Sequence, residues 1–95
     1  MGWIFVITDI TERRIHLSQK QWVHIVHEHP TLSGRLRDVE EVLTNPLTIR
    51  QSSNNDMVWH YYRWHKSAFS YIMVVVRYLN GEGFVITSMP VRTLS

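Results

Sequence analysis

Three of the six histidines lie close together, in the segment WVHIVHEHP that runs from Trp22 to Pro30. Imidazole side chains can ligate metal ions, and they can move protons near neutral pH because their ordinary pKa is about 6.5. On a helix, His24 and His27 project about 60° apart, whereas His29 projects nearly opposite His24. This spacing disfavours a three-histidine metal site, and no metal ligands are assigned.

The three histidines differ in what the helical period implies for them. His29 falls on the apolar side with Trp22, directly before Pro30, where an imidazole can cap the helix end. His27 is expected in solvent. His24 lies on the side away from the core, where it is either exposed or directed into a cleft beside a sheet, and the spacing alone leaves both alternatives open.

Two helices are predicted to position these residues. The segment from Ser18 to Gln21 has the pattern of a capping box, in which the serine hydroxyl and the glutamine side chain satisfy free amides of the first turn. Pro30 ends this first helix. A second helix is predicted from Leu32 to Leu43, with an apolar stripe at 3.6-residue spacing and the stop signal Asn45-Pro46.

Strand patterns flank the helices on both sides. Asn80-Gly81 predicts a tight hairpin turn between the last two strands. The predicted strands are Trp3 to Thr8, Arg13 to Leu17, Leu47 to Gln51, Met57 to His65, Phe69 to Leu79 and Phe84 to Met89. We expect one α+β domain over residues 1–95, in which two N-terminal helices pack on a four-stranded antiparallel sheet preceded by a short β-hairpin.

The strand from Met57 to His65 carries aromatic and basic side chains on both faces, because residues alternate between the two faces of a strand. One face has Trp59, Tyr61, Arg63 and His65, and the other has Val58, His60, Tyr62 and Trp64. Aromatic rings interleaved with cationic groups suit the stacking of nucleobases and contacts to phosphate. Cross-strand aromatic pairing on a half-exposed sheet explains the same pattern without a ligand. In the last strand, the same alternation predicts Thr87 on the face opposite Phe84.

Composition narrows the possible functions. The formal net charge is only +2, but from Met57 onward four cations face a single acid, so the C-terminal sheet is expected to attract phosphates. The absence of cysteine excludes disulfides and thiolate chemistry and suits a reducing compartment. No apolar run reaches the roughly 18 residues of a membrane-spanning helix. We expect a cytoplasmic protein.

Several motifs together resemble those of a known family. They are Trp22-x-His24-Ile25 with His29-Pro30, the acidic second helix ending in Asn45-Pro46, Tyr62-Arg63, VVVRY from Val74 to Tyr78, and GFVIT from Gly83 to Thr87. The chain is similar, over roughly Ile15 to Pro90, to small bacterial, archaeal and phage proteins of the barnase/EndoU/colicin/RelE class of ribonucleases, in particular its phage-type branch. The family often continues its last strand as Thr-Ala-Tyr, whereas this chain has Thr87-Ser88-Met89.

The resemblance implies a metal-independent endoribonuclease with no cofactor. In such an enzyme a ribose 2′-hydroxyl attacks the adjacent phosphorus, which requires proton carriers and cationic stabilisation. By position, His24 would be the general base or acid, Arg50 and Arg63 would hold the phosphate, and Thr87 would position the substrate. The resemblance further implies RNA as the partner and, for a toxin-type ribonuclease, an antitoxin or immunity protein.

Further contacts to RNA are predicted from the strands themselves. The candidates are His60, Tyr62, Trp64 and Arg77, of which His60 or Tyr62 is also a second proton carrier. The alternative function is a non-catalytic module that binds RNA or a protein on the aromatic and basic sheet face while its histidines are incidental.

Overall fold

A six-stranded mixed sheet forms the frame of the computed structural model, which describes residues 2–94. The strands are β1 (Trp3–Thr8), β2 (Arg14–Ser18), β3 (Thr48–Gln51), β4 (Val58–His65), β5 (Ser70–Leu79) and β6 (Glu82–Val91). Their order across the sheet is β1-β2-β6-β5-β4-β3, and every neighbouring pair is antiparallel except β2 and β6, which run parallel. No helix among residues 2–94 is long and apolar enough to cross a membrane.

The predicted four-stranded antiparallel sheet with a separate hairpin is wrong. The β1–β2 hairpin joins the same sheet, because Ile15 and His16 of β2 pair in parallel with Gly83 and Phe84 of β6. Ile15 and Leu17 are fully buried, so docking the hairpin extends the hydrophobic core. The same pairing satisfies backbone groups that an unpaired β6 edge would leave exposed. The α+β class itself agrees with the prediction.

The first helix, α1 (Gln19–Glu28), begins and ends where the sequence predicts. Ser18 is its N-cap, and the serine Oγ accepts a hydrogen bond of 3.0 Å from the Gln21 amide. The Gln21 side chain does not reach back to the Ser18 amide as the capping box predicts. Its Nε2 instead donates a hydrogen bond to the carbonyl of Ile86 in β6. This bond ties the first turn of the helix to the sheet.

The second helix, α2 (Leu36–Thr44), begins four residues later than predicted. Pro30–Leu32 forms a short 3₁₀ turn, and Gly34 then takes a φ of 79°, a left-handed conformation that interrupts helical geometry. The predicted apolar stripe nevertheless faces the core, since Leu32, Val39 and Leu43 are all buried. The helix ends at Asn45, before the proline, as predicted.

One hydrophobic core lies between the helices and one face of the sheet. Both helices pack on this face, which we call the helix face, and their buried residues join those of the strands in a single cluster. The members from the helices and the turn are Ile25, Leu32, Val39, Val42 and Leu43, and those from the strands are Phe5, Ile15, Leu17, Tyr61, Ile72, Val74, Val76, Tyr78 and Val85.

A buried carboxylate anchors the β1–β2 turn to the middle of the sheet. Asp9 accepts hydrogen bonds from the Tyr61 hydroxyl, from the Thr11 hydroxyl at 2.7 Å, and from the Thr11 and Arg13 amides at 3.0 Å each. The Tyr61 hydroxyl also shares a hydrogen bond with that of Tyr78. Burial raises the pKa of the Asp9 carboxyl, but these hydrogen bonds outweigh it and hold the pKa below its ordinary value.

Candidate nucleic-acid interface

The face of the sheet opposite the helices, which we call the open face, bears aromatic and cationic side chains. No described helix packs on it, because both helices join the core cluster on the other side. Cross-strand partners share a face, so the register identifies its residues. They include Trp3, Arg14, His16, Thr48, Arg50, Val58, His60, Tyr62, Trp64, Tyr71, Met73, Val75, Arg77, Glu82, Phe84 and Thr87.

Strands β4 and β5 place one aromatic group on this face. Trp64 and Tyr71 are cross-strand partners whose ring centroids lie 5.1 Å apart in an edge-to-face arrangement, and 46% of Trp64 is exposed. His60 meets Tyr62 edge-on at 6.4 Å, and the Arg50 guanidinium lies 5.8 Å from the centre of the Tyr62 ring. Only 5% of Tyr62 is exposed, so its ring supports its neighbours rather than offering a stacking surface.

A second aromatic group lies across the β2–β6 junction. The His16 ring stacks on Phe84 with centroids 5.0 Å apart, and the Trp3 ring lies 4.7 Å from His16. His16 Nε2 and Glu82 Oε1 are 2.7 Å apart, and Arg14 Nη2 lies 3.2 Å from the same oxygen. Two hydrogen bonds lower the pKa of the Glu82 carboxyl below its ordinary value, and the one with His16 has a larger effect than the one from Arg14. This carboxylate therefore stays charged and is matched by Arg14.

The open face carries an excess of positive charge, whereas the helix layer holds half of the acids. Arg50 and Arg77 are exposed on the open face, and Arg77 forms no ion pair with any residue of the described chain. Four of the eight acids lie in the helix layer, namely Glu28, Asp38, Glu40 and Glu41. The open face is therefore the more cationic side of a chain whose formal net charge is +2.

The structure does not bring the four predicted catalytic residues together. His24 is exposed on α1, in the helix layer, whereas Arg50 and Thr87 belong to the open face. Arg63 lies on the helix face, where its Nη1 donates to the Asn45 carbonyl at 3.0 Å and its Nε lies 3.5 Å from Glu41. The sheet separates these groups, so they do not converge on one phosphate.

Thr87 occupies a different face from the one that strict alternation predicts. It pairs with Val75, while Phe84 pairs with Arg77, and both partners point to the open face. The register shifts between Val75 and Val76 because β6 has an extra residue there, which reverses the alternation beyond it. The prediction that Thr87 and Phe84 lie on opposite faces is wrong for this reason.

The four predicted RNA contacts, by contrast, share a face. His60, Tyr62, Trp64 and Arg77 all lie on the open face of β4 and β5. Sequence reasoning overlooked Trp3, His16, Tyr71 and Phe84 as members of this surface. Tyr71 could have been found by extending the alternation of its strand. Trp3 and His16 meet through the β1–β2 hairpin, and Phe84 joins them only through the β2–β6 pairing.

One group of side chains in the described part of the chain has the composition of a metal site. One ligand atom from each of Asp38, Glu41 and His65 lies within 4.8 Å of the others. Two guanidinium groups already neutralise the carboxylates, since Arg35 Nη1 is 2.9 Å from Asp38 and Arg63 Nε is 3.5 Å from Glu41. These cations would repel a metal ion, so the group is better described as an ion-pair network that joins α2 to β4.

The chain matches no family model, and no curated protein or solved structure similar to it was found. The resemblance to ribonucleases therefore stays a prediction. Among the surfaces of the described chain, the open face is the richest in aromatic and cationic side chains that recognise ligands.

Proposed function

We propose that the protein binds single-stranded RNA on the open face of its sheet. The observation that carries this proposal is the convergence of Trp64, Tyr71, His60, Arg50 and Arg77 on the one face that neither helix covers. Exposed aromatic rings stack on unpaired bases, and arginine side chains bind phosphate through paired hydrogen bonds.

Single-stranded RNA suits this surface better than a duplex. The bases of a duplex are stacked on one another, so a sheet bearing exposed rings can reach them only where the strand is unpaired. Trp64 offers almost half of its surface for such stacking, and Arg77 lies on the neighbouring strand. Cross-strand pairing of Trp64 with Tyr71 holds the ring in place before RNA arrives, which lowers the entropic cost of binding.

The geometry supports binding better than cleavage. Metal-free cleavage needs proton carriers and cations at the same phosphate, and His24 lies in the helix layer while Arg50 lies on the open face. Endoribonuclease activity therefore remains a prediction of the resemblance, without a constellation of residues in this structure to carry it.

Fluorescence anisotropy with a labelled single-stranded RNA of about ten nucleotides, in EDTA, tests the proposal. Stacking on one aromatic side chain contributes about 1–3 kcal/mol, so Trp64→Ala should weaken binding by about 5- to 150-fold. Val23→Ala, which alters an exposed apolar residue of α1, is the matched control and should bind as the unaltered protein does.

Two results would contradict the proposal: no binding by the unaltered protein, or equal binding by Trp64→Ala. The same samples report on cleavage. Fragments ending in a 2′,3′-cyclic phosphate, produced by the unaltered protein and lost in His24→Ala, would establish a ribonuclease and would place its proton chemistry on α1.

A further inference from the structure

An open cleft of about 760 Å³ lies at the end of the sheet, where β4 and β6 end and β5 begins. Volumes of roughly 300–1,000 Å³ are typical of small-molecule sites. Buried Leu32 and Ile72 contribute apolar surface, and Trp64 of the open face belongs to the same wall. The cleft is thus continuous with the proposed RNA surface through one shared tryptophan.

Two buried polar atoms at this end of the sheet have no hydrogen-bond partner among the described residues. Ser70 lines the cleft, and only 7% of the residue is exposed. Its Oγ is buried and has no hydrogen-bond partner within residues 2–94. His65, its direct partner across the strands, is also buried, with an unpartnered Nε2. Buried polar groups are normally hydrogen-bonded, so an unpaired hydroxyl in a cleft wall points to a ligand that completes it.

Phe69 adds a second aromatic ring at the cleft. Its φ of 50° is left-handed, which is strained for a bulky residue, and 81% of the residue is exposed. Strained backbone of this kind concentrates at ligand sites. Together with Trp64, Phe69 gives the cleft two rings that a flat ligand can contact.

The charge of the lining selects an anion. Two arginines line the cleft and no acidic residue does. Arg35 is already held by Asp38 at 2.9 Å and by Ser67 Oγ at 3.0 Å. Arg92 forms no ion pair with the rest of residues 2–94, so its charge is the one left to meet a ligand.

We propose that this cleft binds one phosphorylated nucleotide, with its base against Trp64 and Phe69 and its phosphate at Arg92 and Ser70. The inference deepens the proposed function and rests on it for the choice of a nucleotide over other flat anions, because Trp64 belongs to both surfaces. A strand of RNA lying on the open face can then place one nucleotide in the cleft.

The test is a titration of the full chain, followed by two-dimensional NMR, with uridine 5′-monophosphate and uridine 3′-monophosphate in separate samples. Uridine alone and inorganic phosphate alone are the control ligands. We expect the amide signals of residues 67–70 and 92 to shift with at least one mononucleotide, and to shift at much lower concentration than with either control ligand.

Variants of the full chain separate ligand contacts from structural roles. Arg92→Ala should weaken mononucleotide binding about tenfold, as expected for loss of a charge-assisted hydrogen bond. Ser70→Ala should weaken it without lowering the thermal stability, because the hydroxyl has no partner within the described protein. Arg37→Ala, on the exposed side of α2, should leave binding unchanged.

Three results would overturn the inference: no shift at the cleft, equal binding of inorganic phosphate, or unchanged binding in both Arg92→Ala and Ser70→Ala. A parallel titration with single-stranded RNA keeps the two proposals distinct. If the RNA binds the open face while mononucleotides ignore the cleft, only the inference fails. If mononucleotides bind the cleft while the RNA does not bind, the proposed function fails and the inference does not.

Discussion

Arg77 is the residue whose charge is most available on the open face. It is exposed on β5, opposite Phe84 and Val58, and forms no ion pair within residues 2–94. We expect Arg77→Ala to weaken RNA binding about 3- to 10-fold and to lower the slope of log affinity against log salt concentration by about 1, because one phosphate contact is lost.

Anisotropy titrations at several salt concentrations measure this effect. Arg37→Ala is the matched control, since it removes an exposed arginine from α2 in the helix layer. An equal loss of affinity in both variants would indicate that RNA senses only the overall charge of the protein, and that the open face is not its binding surface.

Asp9 shows how a single buried carboxylate sets the response of the fold to acid. Its pKa is lower in the folded chain than in the unfolded chain, where it is about 3.9. Its contribution to stability is therefore fully present above about pH 4 and is lost as the pH falls through the lowered folded value. Four donors point at the Asp9 carboxylate, and Asp9→Asn replaces one of its accepting oxygens by an amide nitrogen that itself donates. We therefore expect a loss of about 1–3 kcal/mol in the free energy of unfolding at pH 7.

Urea denaturation at pH 7 and pH 3 checks this expectation. The unaltered protein should lose more stability between the two pH values than Asp9→Asn does, because the variant lacks the group that titrates. Asp56→Asn, in the exposed loop before β4, should behave as the unaltered protein does. An identical pH response in Asp9→Asn would exclude Asp9 as the source of the acid sensitivity.

Among the elements, the junction of β2 and β6 depends on a glycine. A Cβ at Gly83 would lie 2.8 Å from Tyr78 Cε1 and 3.1 Å from the Ile15 side chain, closer than normal contacts allow. We expect Gly83→Ala to lower the free energy of unfolding by about 1–3 kcal/mol, since it overpacks the core where the hairpin joins the sheet.

Thermal or urea denaturation of two alanine variants measures the effect. Gly2→Ala is the control, because a Cβ there would meet only the Gln19 side chain, at 3.9 Å or more. Equal stability of Gly83→Ala and the unaltered protein would mean that the parallel junction relaxes without cost, and that its packing does not hold the hairpin in place.

Elements that are set by local chemistry could be predicted from the sequence, and those set by contacts far along the chain could not. The start of α1 follows from the Ser18 hydroxyl, and the β5–β6 turn follows from Asn80 and Gly81, which both take positive φ. The predicted start of α2 is wrong because Leu32 has the right apolar spacing but lies in a 3₁₀ turn. The reversed face of Thr87 follows from a bulge that has no local signal in β6.

At the scale of the whole molecule, the unpredicted feature is the parallel pairing of β2 with β6. It joins segments near opposite ends of the chain, so neither strand reveals it, and it turns a four-stranded sheet into one of six strands. Strand alternation correctly placed His60 and Trp64 on one face of β4, whereas the position of Arg77 on that face follows from the pairing of β4 with β5. It could not show that the sheet would separate His24 from Arg50, since that depends on which face the helices cover.

The four tryptophans provide the most direct test that RNA binds the open face. Trp3 and Trp64 are about half exposed in the two aromatic groups of that face, whereas Trp22 and Trp59 pack against the core on the helix face. We would follow the four indole N–H signals by NMR while adding single-stranded RNA. The Trp64 signal, and to a lesser extent that of Trp3, should shift in proportion to bound RNA while those of Trp22 and Trp59 stay in place. Shifts confined to Trp22 and Trp59, or no shift at saturating RNA, would contradict the account.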